Sequence, residues 1–127
     1  KLLSCDDRLR TCFDTNHLFY EDVGEYIHKV GSKLVTTHVS DFDYKNERHW
    51  LPGEGKVDWI KLIDALRSVG YEGPWLYELD YKAPETIKRR QLTAMDFKNN
   101  YDILMDNKIP QALGTPVEEK CVHWKER

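Results

Sequence analysis

Cysteine is scarce in this sequence, and none of its three, Cys5, Cys12 and Cys121, stands in a C-x-x-C spacing. An odd, unpatterned set excludes a disulfide framework and a thiolate zinc site, and it makes a reducing, cytoplasmic setting the expectation. Long apolar runs are missing too. None approaches the ~20 residues that cross a bilayer, and the opening residues carry no secretory pattern, so no membrane partner is expected. Nor does either charge dominate. The 19 Lys and Arg against 22 Asp and Glu leave a net charge of −3, interspersed rather than gathered into the basic stripe that nucleic-acid phosphates favour. No nucleic acid is expected as a partner. The sequence opens on Lys1 rather than Met, and the natural N-terminus is expected to lie elsewhere.

What is present suits one globular domain. Apolar residues make up 40% and charged residues 32% of the 127 positions, enough of the first to build a core and too balanced in charge for a disordered chain. One pattern recurs three times: a short β-rich run, a polar loop, then an amphipathic segment. The runs are Leu9–Phe13, Leu34–Val39 and Trp75–Leu79. The amphipathic segments predict helices over Asp22–Val30, Asp58–Val69 and Pro84–Asp106. Val23, Tyr26, Ile27 and Val30 recur at helical spacing before Gly31, and Asp58 suits an N-cap. Pro84 suits a first helical position, with Ile87, Ala94, Phe97, Tyr101 and Leu104 as the apolar stripe behind it. Residues 107–127, with Pro110, Gly114 and Pro116, read as a tail in need of something to pack on, after a domain of residues 1–106.

Strand–helix alternation with short connections implies an α/β fold of parallel strands joined by right-handed crossovers. Three such strands leave two open edges. The expectation is therefore that the chain self-associates through strand edges, as a homo-oligomer.

Polar residues gather where each strand gives way to its loop: Asp14 and His17, His38 and Asp41, then Glu78. In parallel α/β proteins those carboxyl ends open onto one face. A carboxylate, an imidazole and a second carboxylate from three neighbouring strands suit a divalent cation such as manganese, cobalt, magnesium or zinc. Plainer roles fit the same residues one by one. Asp14, before Thr and Asn, suits a cap of the next turn, and a lone strand-end His38 suits a structural hydrogen bond. Glu78, inside Trp-Leu-Tyr-Glu-Leu, needs a cation or a strong partner if it is buried. In the long loop after the second strand, Arg48, His49 and Trp50 are candidates for substrate contact. Trp50 suits stacking on a sugar ring and, equally, covering the core beneath the loop.

The order CFDTNH, HVSDFD, ERHWLPGEGKVDW, GYEGPWLYEL resembles the xylose-isomerase-like TIM-barrel superfamily of sugar phosphate isomerases and epimerases, over about Leu2 to Leu104. The resemblance implies the C-terminal part of a (β/α)8 barrel, strands six to eight with their helices. It implies a metal held by Asp14, His38 and Glu78, with a fourth ligand, a Glu, before Lys1. It makes Glu78 a catalytic acid/base and His17 a substrate contact, on a small sugar or polyol. Two other readings stay open: a non-catalytic remnant of such a barrel, and an endonuclease IV-like abasic-site nuclease. Glu47-Arg48-His49 departs from the Asp-Arg-His of those nucleases.

Overall fold

The computed structural model describes residues 1–119. Its centre is a three-stranded sheet in the order β1 (Thr11–Asp14), β2 (Leu34–Val39), β3 (Trp75–Tyr77). Both pairings are parallel, with Asp14 beside His38 and His38 beside Leu76. Backbone pairing runs one residue past β3, because Glu78 N–H donates to the Val39 carbonyl at 2.9 Å. Side chains alternate faces along a strand. Phe13, Val39 and Thr37 therefore point into the core, while Cys12, Asp14, His38, Leu76 and Glu78 share the other face.

Two helices cover the buried face. α1 (Val23–Val30) starts where Asp22 accepts from Glu25 N–H, and buries Val23, Ile27 and Val30 at a spacing of four and three. Gly31, at φ +50°, ends it. α2 (Trp59–Ser68) starts where Asp58 accepts from Lys61 N–H, and buries Trp59, Leu62, Ile63 and Leu66. Burying an apolar side chain of this size contributes about 1.5–3 kcal/mol, so these two stripes are the main support of the sheet.

The third helix departs from expectation. α3 spans Ala94–Met105, not Pro84–Asp106. Thr93 Oγ accepts from Asp96 N–H while the Asp96 carboxylate accepts from Thr93 N–H, a reciprocal cap that fixes the start ten residues later. Pro84 lies in a loop. Ile87, expected on the helix stripe, is buried instead in a two-residue strand, β4 (Ile87–Lys88), paired antiparallel with β5 (Thr115–Pro116). Ala94 and Tyr101 are exposed, so the buried line of α3 runs through Asn100 and Leu104.

Residues 107–119 thus pack on the chain itself. Pro110 is buried, Thr115–Pro116 pair with β4, and Val117 N–H donates to the Thr86 carbonyl at 2.9 Å. Cys5 and Cys12 are free and exposed, and Cys121 lies outside the described residues. Among the described residues no helix is long and apolar enough to cross a membrane.

Candidate metal centre

Parallel pairing decides where the polar strand ends go. Asp14 and His38 lie side by side in register, and Glu78 sits two residues beyond Leu76, His38's partner on β3. The structure brings Asp14, His38 and Glu78 together: each offers one ligand atom within 4.8 Å of the other two. His38 Nδ1 is 3.4 Å from Glu78 Oε2 and 3.8 Å from Asp14 Oδ2.

Asp14 divides its two oxygens. Oδ1 accepts from Asn16 N–H at 2.9 Å, capping the turn at Thr15–His17, while Oδ2 faces His38. The cap and the candidate ligand are one residue. Burial foremost, with the neighbouring Glu78 carboxylate, holds the Asp14 carboxyl above its ordinary range, against the Asn16 N–H and the nearby His17. Among the described residues Glu78 Oε2 has no hydrogen-bond partner and this atom is closed to solvent, while the Glu78 side chain as a whole is 42% exposed. A carboxylate oxygen desolvated without a donor is costly. A divalent cation coordinated by this oxygen, Asp14 and His38 fits that vacancy in the hydrogen bonding, and one nitrogen with two carboxylates is a donor set that transition metals accept.

The remaining candidates divide. His17 Nε2 lies 3.5 Å from Asp14 Oδ2, on the rim of the group. His49 points its Nδ1 to the Glu78 carbonyl at 3.0 Å. Arg48 is turned inward: its guanidinium donates to Asp43 at 2.8 Å and Glu119 at 2.6 Å, with its side chain 5% exposed. Trp50 is buried at 3% exposure, its indole N–H donating to Thr86 Oγ at 2.9 Å and its ring beneath the Arg48 guanidinium. The bridge that pairs Asp41 with Trp50 holds the indole on the inner side of the loop. Asp41 leaves the strand-end group as well. Buried at 1%, it accepts from Phe42, Gly53 and Val57 N–H and from Trp59 Nε1–H.

That anchoring explains the Pro-Gly-Glu-Gly passage. A Cβ at Gly55 would overlap the Asp41 carboxylate, and Gly53, at φ +99°, would drive one into the Pro110 carbonyl. Glu54 turns in, accepting from Leu51 N–H at 2.9 Å, with its other oxygen 3.0 Å from Arg89 Nε in full burial. Two further polar anchors carried no local signal. Asn16 accepts from Arg48 N–H, and Asn100 joins the Pro52 carbonyl to the Tyr77 hydroxyl. Beside Glu78 and His49 opens a cavity of about 650 Å³, lined also by Arg48, Asp80, Lys82 and Glu85. It lies within the range of small-ligand pockets.

Parallel strands, helices on the buried face and a carboxylate–imidazole–carboxylate group at the strand ends define a portion of a parallel α/β barrel. Residues 2–97 match the xylose isomerase-like TIM barrel family, and the chain belongs to it. It is similar to fructoselysine 3-epimerase from Escherichia coli O157:H7, 39% identical over 59 residues, 46% of this chain and 22% of that one. It is similar also to D-psicose 3-epimerase from Ruminiclostridium cellulolyticum, 26% identical over 108 residues, 84% of this chain and 35% of that one. The chain thus spans between about a fifth and about a third of these curated relatives. Among solved structures, the fold resembles 3-keto-D-glucoside 4-epimerase from E. coli, with a TM-score of 0.60 at 21% identity, covering 82% of this chain and 36% of that one. A D-tagatose 3-epimerase-like protein gives a TM-score of 0.57 at 19% identity, over 84% and 39%.

Proposed function

We propose that this chain forms the metal- and sugar-binding portion of an isomerase or epimerase acting on a small sugar or polyol. The observation that carries the reading is the convergence of Asp14, His38 and Glu78 within 4.8 Å, with one Glu78 oxygen shut from water and without a donor among the described residues. Asp14, His38 and Glu78 would hold a divalent ion, with Mn, Co, Mg and Zn all compatible with the donors. Such an ion, when bound, polarises a sugar carbonyl and acidifies the neighbouring C–H. Glu78 is the group that takes or returns the proton at that carbon. His17 contacts a sugar hydroxyl from the rim, and His49 holds the end of β3 beside the cavity. The relatives named as epimerases of fructoselysine and D-psicose support the sugar as substrate class. The exposed cysteines Cys5 and Cys12 suit a reducing, cytoplasmic setting.

The test has two arms. Calorimetric titration with Mn²⁺ is expected to give one equivalent for the wild type and none for His38→Ala. Incubation of the metal-loaded protein with D-fructose or D-psicose in D2O is expected to place deuterium on the carbon that exchanges. Metal binding that survives His38→Ala would refute the ligand set, and a ketose that takes up no deuterium would refute the proton transfer.

A further inference from the structure

Asn16 offers no atom to the carboxylate–imidazole–carboxylate group, yet it has no solvent exposure and both polar atoms of its amide are used. Nδ2 donates to Ser40 Oγ, and Oδ1 accepts from Arg48 N–H at 2.9 Å. Its own N–H donates to Asp14 Oδ1 at 2.9 Å. Thr15 strengthens the same seam, its Oγ donating to the Ser40 carbonyl at 2.5 Å and accepting from Ser40 N–H at 2.9 Å. These bonds reach all three candidate ligands. Asp14 is bonded directly, and Ser40 stands two residues after His38. Arg48 is followed by His49, whose Nδ1 meets the Glu78 carbonyl at 3.0 Å.

A binding group works when its members are held to within about 0.5 Å, and short strands do not hold their own ends that well. Asp14 is the last residue of β1, and Glu78 lies one beyond β3. An amide carries a donor and an acceptor on one rigid plane. One side chain can therefore fix two neighbours at a set angle, here the end of β2 through Ser40 and the long loop through Arg48. We propose that Asn16 is a positioning residue that holds the turn bearing Asp14 and the loop bearing His49 in one fixed relation, so that the ligand group is assembled before an ion arrives. What this does for the ion rests on the metal reading above. The hold on the loop does not.

Two readouts test this on the chain itself. In the metal-free protein, nuclear Overhauser contacts between the His49 ring and the backbone of Glu78 and Leu79 report the loop. Calorimetric titration with Mn²⁺ reports the ligands. Asn16→Ala is expected to lose the contacts and to weaken Mn²⁺ binding about 10-fold, the lower end of what an outer-shell partner costs. Ser40→Ala removes one of the two side-chain bonds and is expected to weaken both readouts in part, so the test stands even where Asn16→Ala does not fold. Thr93→Ala, which removes the α3 cap, should lower the urea midpoint and leave both readouts alone. Either readout unchanged in Asn16→Ala, or both falling as far in Thr93→Ala, overturns the proposal. A wild type that binds no Mn²⁺ refutes the metal reading instead, and the His49 contacts then decide the role of Asn16 by themselves.

Discussion

Single carboxylates in this chain do very different work according to what faces each oxygen. Glu78 has one oxygen closed to solvent and without a donor among the described residues. Glu78→Gln keeps the shape and removes the charge, so Mn²⁺ affinity is expected to fall on the order of 100-fold, at least as much as losing an outer-shell partner costs. The far-ultraviolet dichroism should stay unchanged, because the side chain supports no core contact. Titration calorimetry checks the first and circular dichroism the second. Asp41 is the opposite case. Both its oxygens are filled, Oδ2 by the N–H groups of Gly53 and Trp59. Asp41→Asn would set an amide N–H₂ against donors at one end, and each buried group left without a partner costs about 1–3 kcal/mol. Urea unfolding is expected to show a loss of about 3 kcal/mol. An unchanged midpoint would mean that the Pro-Gly-Glu-Gly loop is held by something else.

At the scale of elements, the start of α3 is sensitive to acid. Hydrogen bonds from Arg90, then Thr93 N–H, hold the Asp96 carboxyl well below the usual carboxylate range. A depressed folded value means that the stabilisation is present above the unfolded pKa of about 3.9 and is lost as pH falls through the folded value. Protection of the first turn of α3, corrected for the intrinsic pH dependence of amide exchange, should therefore fall below about pH 4, and Asp96→Asn should remove that dependence. This same cap shows where sequence reading succeeds and fails. α1, α2 and β2 were legible because their signals are local: Asp22 and Asp58 as caps, Gly31 as a stop, apolar spacing between them. Pro84 and the Thr93–Asp96 pair both announce a helix start, and only the second closes two hydrogen bonds. β4 and β5 are two residues each and pair across 28 positions or so, which leaves no local trace. The convergence of Asp14, His38 and Glu78 was legible for a related reason, since parallel strands bring their carboxyl ends together. The inward turn of Arg48 and Trp50 was not, because distant partners, Glu119 and Thr86, set it.

At the scale of the whole molecule, the described residues cover the sheet on one face only. Among the described residues β1 and β3 each pair on one side, and the face that carries Asp14 and His38 also carries exposed Cys12 and Leu76, the latter 46% exposed. Open edges and uncovered apolar area favour association. Light scattering on the purified chain is expected to report a species heavier than the 15.0 kDa monomer, and Leu76→Lys should shift it toward the monomer. A monodisperse 15.0 kDa species in the wild type would contradict this. The bridge between Asp41 and Trp50 has a different consequence. Paired N–H and carbonyl groups at 2.7 and 3.0 Å close the chain at both ends of the stretch that bears Glu47, Arg48 and His49. The stretch is thereby a loop clamped at its two ends, and within it Arg48 is tied to Asn16, Asp43 and Glu119 as a third fixed point. Substitutions at half-exposed Glu47 and His49 are therefore expected to leave the loop's course unchanged, while Arg48→Ala loosens it.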